Sequence, residues 1–100
     1  MDEISGSLSE RVSIERLDAT RDAIGGSSDV WLAEGEVWAS VLTVRADGLE
    51  AAGRWRVTMR VRSIGFDRRI GWRGRWLRVV AVEDAGERSG LVTVVAEDER

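Results

Sequence analysis

The sequence predicts an all-β domain: a small barrel or sandwich of roughly five to seven short antiparallel strands, with one longer loop at about 45–53. Three observations carry that expectation. Apolar and polar residues alternate in several separate runs, and glycine-containing turns stand between the runs. Proline is absent, and hardly any stretch carries a helical pattern.

Taken in order, residues 1–10, MDEISGSLSE, are polar with isolated apolars and no sustained period, which predicts an N-terminal arm ahead of one β-barrel-like domain over 11–97. RVSIERL then alternates, with Val12 and Ile14 on one parity and Arg11, Ser13 and Glu15 on the other, and forms the first strand. DATRDAIGGSSD is turn material, because Gly25-Gly26 supports positive φ and the Asp and Ser side chains close local bonds to the backbone. From Asp29 to Val44, β-branched and aromatic residues surround Gly35, which fits one long strand bulged at Gly35 or two short strands. Val37, Ala39 and Val41 alternate there with Trp38, Ser40 and Leu42, so both faces carry apolar groups and a central strand covered on both sides is expected.

RADGLEAAG, from Arg45 to Gly53, breaks the pattern, as a flexible loop or as one helical turn capped by Asp47 and ended by Gly53. RWRVTMRVR, from Arg54 to Arg62, alternates throughout: Trp55, Val57, Met59 and Val61 on one parity, Arg54, Arg56, Thr58, Arg60 and Arg62 on the other. At ~3.3 Å per residue it would span on the order of 30 Å. Gly65, Gly71 and Gly74 punctuate the next stretch, with WRGR a tight turn between short strands. RWLRVVAVEDA and LVTVVAED are the last strands, separated by the turn GERSG, and the EDER tail is charged.

Composition narrows the function classes. Of 100 residues 43% are hydrophobic and 33% charged, which is neither a disordered nor a membrane-spanning composition. The acidic N-terminus lacks a signal-peptide pattern, so a soluble chain, intracellular at synthesis and without a membrane partner, is expected. Cysteine and histidine are absent, which removes thiolate nucleophiles, disulfides, the usual zinc sites and the Ser-His route to nucleophilic catalysis. No catalytic residue, metal ligand or cofactor is expected. EDAGE and AEDE have neither the spacing nor the glycine of an EF-hand loop and read as solvated charge. All 15 basic residues are arginine.

Charge is small overall at −3 but unevenly placed: −7 over residues 1–50, +8 over 54–78 and −4 over 79–100. A basic middle between acidic ends serves either nucleic-acid binding or the stacking of copies, basic edge to acidic edge. Arginine interleaved with Trp55, Phe66, Trp72 and Trp76 has the look of a single-strand nucleic-acid platform. Parity opposes that reading, since a platform needs aromatics and cations on one face and Trp55 lies opposite Arg54 and Arg56. Trp72 and Trp76 fit either the core or an oligomer interface, where Trp and Arg are favoured.

The order of motifs adds more than any one of them. Arg11 to Arg16, then Asp22 to Gly26, Val37 to Ala39, Val57 to Arg62 and Arg73 to Asp84 resemble the successive motifs of the head-tail joining family of tailed bacteriophages and related gene transfer agents, also called head-tail adaptors or head-closure stoppers. The resemblance covers roughly residues 11–96, and the stretch from Ala39 to Arg54 is shorter than is usual there. It implies a non-enzymatic β-barrel subunit in the neck of a phage-like particle, assembled in the bacterial cytoplasm. Six or twelve copies would form a ring between the portal or adaptor ring and the tail terminator or tail tube. Packaged double-stranded DNA would pass the central channel without sequence preference.

On that reading Arg45, Ala46, Asp47, Gly48, Leu49 and Glu50 are the candidates for the channel or for ring stacking, and Arg54, Arg56, Arg60, Arg62 and Trp72 for subunit contact. The alternative is a small nucleic-acid-binding β-barrel that uses the strand from Arg54 to Arg62.

Overall fold

The computed structural model describes residues 8–18, 30–46, 49–61 and 64–99, with the side chains of 46 and 49–52 outside that description. Alternation resolves into six strands: β1 (Glu10–Leu17), β2 (Trp31–Ala46), β3 (Leu49–Met59), β4 (Arg68–Trp72), β5 (Arg75–Asp84) and β6 (Val92–Asp98). They close into an antiparallel barrel in the order β1-β2-β3-β6-β5-β4, so the all-β expectation holds. Closure gives every strand two neighbours over part of its length and removes most exposed edges.

One parity of each strand fills the interior. Val12 and Ile14 of β1, Ala39 of β2, Val57 and Met59 of β3, Ile70 of β4, Leu77 and Val79 of β5, and Val92, Val94 and Ala96 of β6 are buried together, with Ile64. Val37, Val41, Trp55, Val61 and Trp72 pack against this cluster, half-buried. The opposite parity of β3 carries Arg54, Arg56 and Thr58, so a register slip of one residue would place charge in the core.

Bulges tune the closure. β2 is one long strand, as one of the two sequence expectations had it: Ile14 pairs with Gly35 and Glu15 with Ala33, leaving Glu34 as the extra residue beside Gly35 at φ 125°. β5 is irregular in the same way at Val80 and Glu83, where its partners on β6 advance one residue while it advances two. The β4–β5 hairpin turns at Arg73 (φ 50°) and Gly74 (φ 80°), a two-residue loop whose positive φ values match the right-handed strand twist.

Three expectations change. The segment from Arg45 to Gly53 is mostly strand rather than loop: β2 continues to Ala46, β3 begins at Leu49, and Arg45 pairs with Glu50. Only Asp47 and Gly48, at the tip, lie outside the described residues. A hairpin wins there because Arg45 and Ala46 pair with Glu50 and Leu49, and the ladder continues at Thr43↔Trp55 across an irregularity that takes up residues 51–54 of β3. β3 correspondingly ends at Met59, with Arg60 and Val61 beyond it and Arg62 outside the described residues. Finally, β2 is covered on one face only: Trp38 is 52% and Leu42 60% exposed on the outer side, because a single barrel has no second layer to cover them. The arm over residues 1–7 and the Asp22–Gly26 turn also lie outside the described residues.

Candidate assembly surface

Where β1 begins and β4 turns into β5, two indoles and four charged groups form a compact cluster. Trp55 and Trp72 meet edge-to-face with centroids 5.2 Å apart. Trp72 Nε1 donates to Glu10 Oε1 at 3.0 Å, and Arg73 grips the same carboxylate through Nε at 3.2 Å and Nη2 at 2.9 Å. The indole hydrogen bond first, and the Arg73 guanidinium second, hold the Glu10 carboxyl below its ordinary range. Arg75 lies 5.2 Å from the Trp55 centroid while its Nη1 donates to Asp98 Oδ2 at 3.2 Å.

The outer wall carries a second cluster. Trp76 lies over Gly71, its cross-strand partner, so closely that a Cβ at Gly71 would stand 2.8 Å from Trp76 Cζ3. The Arg69 guanidinium is 4.0 Å from the Trp76 ring centre and 4.5 Å from that of Trp31, and donates twice to Glu15 Oε1, at 3.0 and 2.8 Å. Glycine at 71 is therefore the condition for the indole to lie flat on the sheet.

Along β3 the arginine row is partnered from within the chain. Arg54 Nε donates to Glu97 Oε2 at 3.3 Å, and Arg78 Nη2 to the other oxygen of Glu97 at 3.1 Å. Arg56 forks onto Glu83 at 2.7 and 3.2 Å, which lowers the Glu83 carboxyl and raises the Arg56 guanidinium from their ordinary values. Arg68 contacts Glu34 at 2.9 Å and Asp67 at 2.8 Å, and Arg11 contacts Glu36 at 3.2 Å. The +8 of the middle segment and the acids of the flanks thus meet inside one subunit. Charge segregation along the sequence consequently no longer argues for contact between copies.

Of the sequence-derived candidates, Arg54, Arg56 and Trp72 sit on the barrel wall in these contacts, and Arg60 lines an open cleft of about 600 Å³ with Leu8, Val37 and Trp38. Arg45, Ala46, Leu49 and Glu50 flank the hairpin tip; of this group, Arg45 alone has a described side chain. Sequence reasoning missed Glu10, Glu83 and Glu97 as charge partners, because 27 to 63 residues separate each from its arginine in the pairs with Arg56, Arg54 and Arg73. It also missed the exposure of Trp38 and Leu42. Among the described residues no three acidic groups come together as a metal ion would need.

No curated protein matches the chain. The fold is similar to that of protein SF1141 from Shigella flexneri 2a, solved in solution, with 26% identity and a TM-score of 0.71 over 98% of this chain and 96% of that one. It is similar also to a chain in the virion of a native gene transfer agent particle, with 24% identity and a TM-score of 0.62 over 89% of this chain and 93% of that one, a likeness of fold. The phage head completion protein family matches residues 4–99. The match takes in all six strands, the Glu10 cluster and the charge pairs alike, and with them the motif order read from the sequence: the chain belongs to the phage head completion protein family, whose members are structural components of the head-tail region of phage particles.

Proposed function

We propose that this chain is a neck connector subunit, a stopper or adaptor, of a phage-like particle. Six or twelve copies form a ring between the portal or adaptor ring on the head side and the tail terminator or tail tube on the other. The ring encloses a channel that it closes or leaves open for packaged double-stranded DNA, which it meets without sequence preference. The domain over 11–97 builds the ring wall, residues 1–10 form an arm, and assembly takes place in the bacterial cytoplasm.

The observation that carries this reading is the β2–β3 hairpin. From Ser40 to Ala46, β2 runs past its last β1 partner at Ala39, while β3 between Leu49 and Gly53 precedes its first β6 partner at Arg54. A hairpin that outruns the barrel is a means of reaching away from the wall, toward a channel or a neighbouring ring. Arg45, Ala46, Asp47, Gly48, Leu49 and Glu50 at its end are the channel or stacking candidates, and Arg54, Arg56, Arg60, Arg62 and Trp72 are candidates for subunit contact.

An image of the particle neck at side-chain resolution tests this. The expected result is a ring of this subunit with the 45–50 tips on the lumen or against the next ring. A neck that lacks the subunit, or holds it as a single copy, would overturn the reading.

A further inference from the structure

One aromatic side chain projects from the barrel, and one apolar cleft opens into it. Phe66 is 68% exposed, more than any other large apolar side chain among the described residues. Its turn is braced from both sides: Ile64 is buried in the core, Arg68 N donates to Gly65 O at 3.2 Å, and Leu17 N donates to Asp67 O at 2.9 Å. A phenyl ring held out in water on a braced turn gains free energy when it is covered and loses little freedom in the process.

The cleft of about 600 Å³ is lined by Leu8, Val37 and Trp38, with Arg60 beside them. It has room for a phenyl ring, and the half-exposed indole of Trp38 gives that ring an aromatic neighbour. Charge agrees with this fit. Asp67 follows Phe66 with its side chain half-exposed, and Arg60 carries the opposite sign at the cleft. Asp67 contacts Arg68 at 2.8 Å, but Arg68 is also forked onto Glu34 at 2.9 and 3.2 Å and keeps that carboxylate when Asp67 turns outward.

We propose that the Phe66-Asp67 turn of one copy seats in the cleft beside Trp38 of the next, an inference that rests on the ring reading above. The ring of Phe66 lies against Trp38 and Val37, and the Asp67 carboxylate faces Arg60. Turn and cleft are unlike surfaces: the turn is bonded to the end of β1 and leads into β4, while the cleft lies on β2 and the chain just past β3. Contact between unlike surfaces is heterologous and passes from copy to copy, as a ring requires. A second copy is the occupant because the chain itself carries both halves of the match, an aromatic with an acid and an apolar cleft with an arginine.

Cysteine is absent, so paired cysteines report the contact in particles assembled from the full chain. Asp67→Cys/Arg60→Cys keeps Phe66 and Trp38 and, under mild oxidation, should give a ladder of disulfide-linked chains. Each single substitution should give none. Necks that hold several copies by imaging yet show no ladder overturn the inference and leave the ring reading standing, whereas necks without several copies remove both. A disulfide within one chain overturns the inference, as do dimers of Asp67→Cys alone, which would mean two-fold packing. Arg60→Glu, which sets carboxylate against carboxylate, should lower incorporation at least about tenfold, and Arg60→Glu/Asp67→Arg should recover it. Normal incorporation of Arg60→Glu, or no recovery in the reversed pair, overturns the inference too.

Discussion

Removing two carboxylates should turn this protein into a salt-sensitive DNA binder. Glu97 holds Arg54 and Arg78 at 3.3 and 3.1 Å, and Glu83 holds Arg56 at 2.7 Å. In Glu83→Gln/Glu97→Gln each amide keeps hydrogen-bonding capacity but no charge, and three guanidiniums become available to phosphate. With a slope of about −0.9 per phosphate contact, the variant should show a log-affinity slope near about −2.7 for duplex DNA, a roughly 40-fold loss between about 50 and 200 mM salt. The parent chain, its pairs intact, should give a slope near zero. The pairs are solvent-facing, each worth at most about 1 kcal/mol, so the variant stays folded. Fluorescence anisotropy with a labelled duplex across a salt series measures both slopes. A steep slope in the parent would refute the reasoning, since it would mean that the arginine row is free for phosphate despite its carboxylates. A flat slope in the variant would refute it as well.

Further outcomes follow from the packing and the titrating groups. Gly71→Ala should destabilise by about 1–3 kcal/mol, because the new Cβ meets a Trp76 ring that Arg69 holds from 4.0 Å; thermal melts should show it, with Gly71→Ala/Trp76→Leu recovering part of the loss. Met59→Ala opens a cavity in the closed interior and should cost about 2–5 kcal/mol in denaturant unfolding. Glu10 and Glu83 have carboxyls lowered in the folded state from 4.5, so their contribution is present above that value and is lost as pH falls through their folded values. Glu10→Gln and Glu83→Gln should each flatten the stability-pH curve below about 4.5 in acid titrations followed by tryptophan fluorescence. Leu42→Asp, at an outer position, should leave the melting curve within about 0.5 kcal/mol of the parent yet lower incorporation of the subunit into particles, read by quantitative blotting of purified virions.

Period-two alternation made β1 and the core face of β3 legible, since Val12, Ile14, Val57 and Met59 go inside where parity puts them. Gly35 marked its bulge because a positive φ was the natural use of a lone glycine within a strand-like run. The hairpin tip was illegible for the opposite reason: Ala46, Gly48, Ala51, Ala52 and Gly53 carry a loop's composition, and the pairing of Arg45 with Glu50 and of Ala46 with Leu49 that holds the two strands together there is a contact between strands that composition does not display. Trp38 and Leu42 were read as covered because alternation reports which faces are apolar, and a covering layer is a separate fact. The charge pairs failed in a similar way. Sequence displays an arginine block and two acidic blocks, and only closure of β3 on β6, and of β5 beside it, brings Arg54 to Glu97 and Arg56 to Glu83.

That internal neutralisation alters how a ring of such subunits would be held together. An arginine already forked onto a carboxylate gains little from a neighbour's acid, because one exposed pair is exchanged for another and the balance is within about 1 kcal/mol. The outer apolar groups have no such competitor. Trp38 at 52%, Leu42 at 60% and Phe66 at 68% exposure each stand in water, and burying one such side chain contributes about 1.5–3 kcal/mol. Trp38 also carries Arg11 at 5.0 Å over its ring, an aromatic and an arginine together, the combination that supplies binding hot spots. In the proposed ring, affinity between copies would then come from the outer face of β2 rather than from the paired arginines of β3. A surface whose cations are already balanced would, at the same time, leave passing DNA few phosphate contacts to hold.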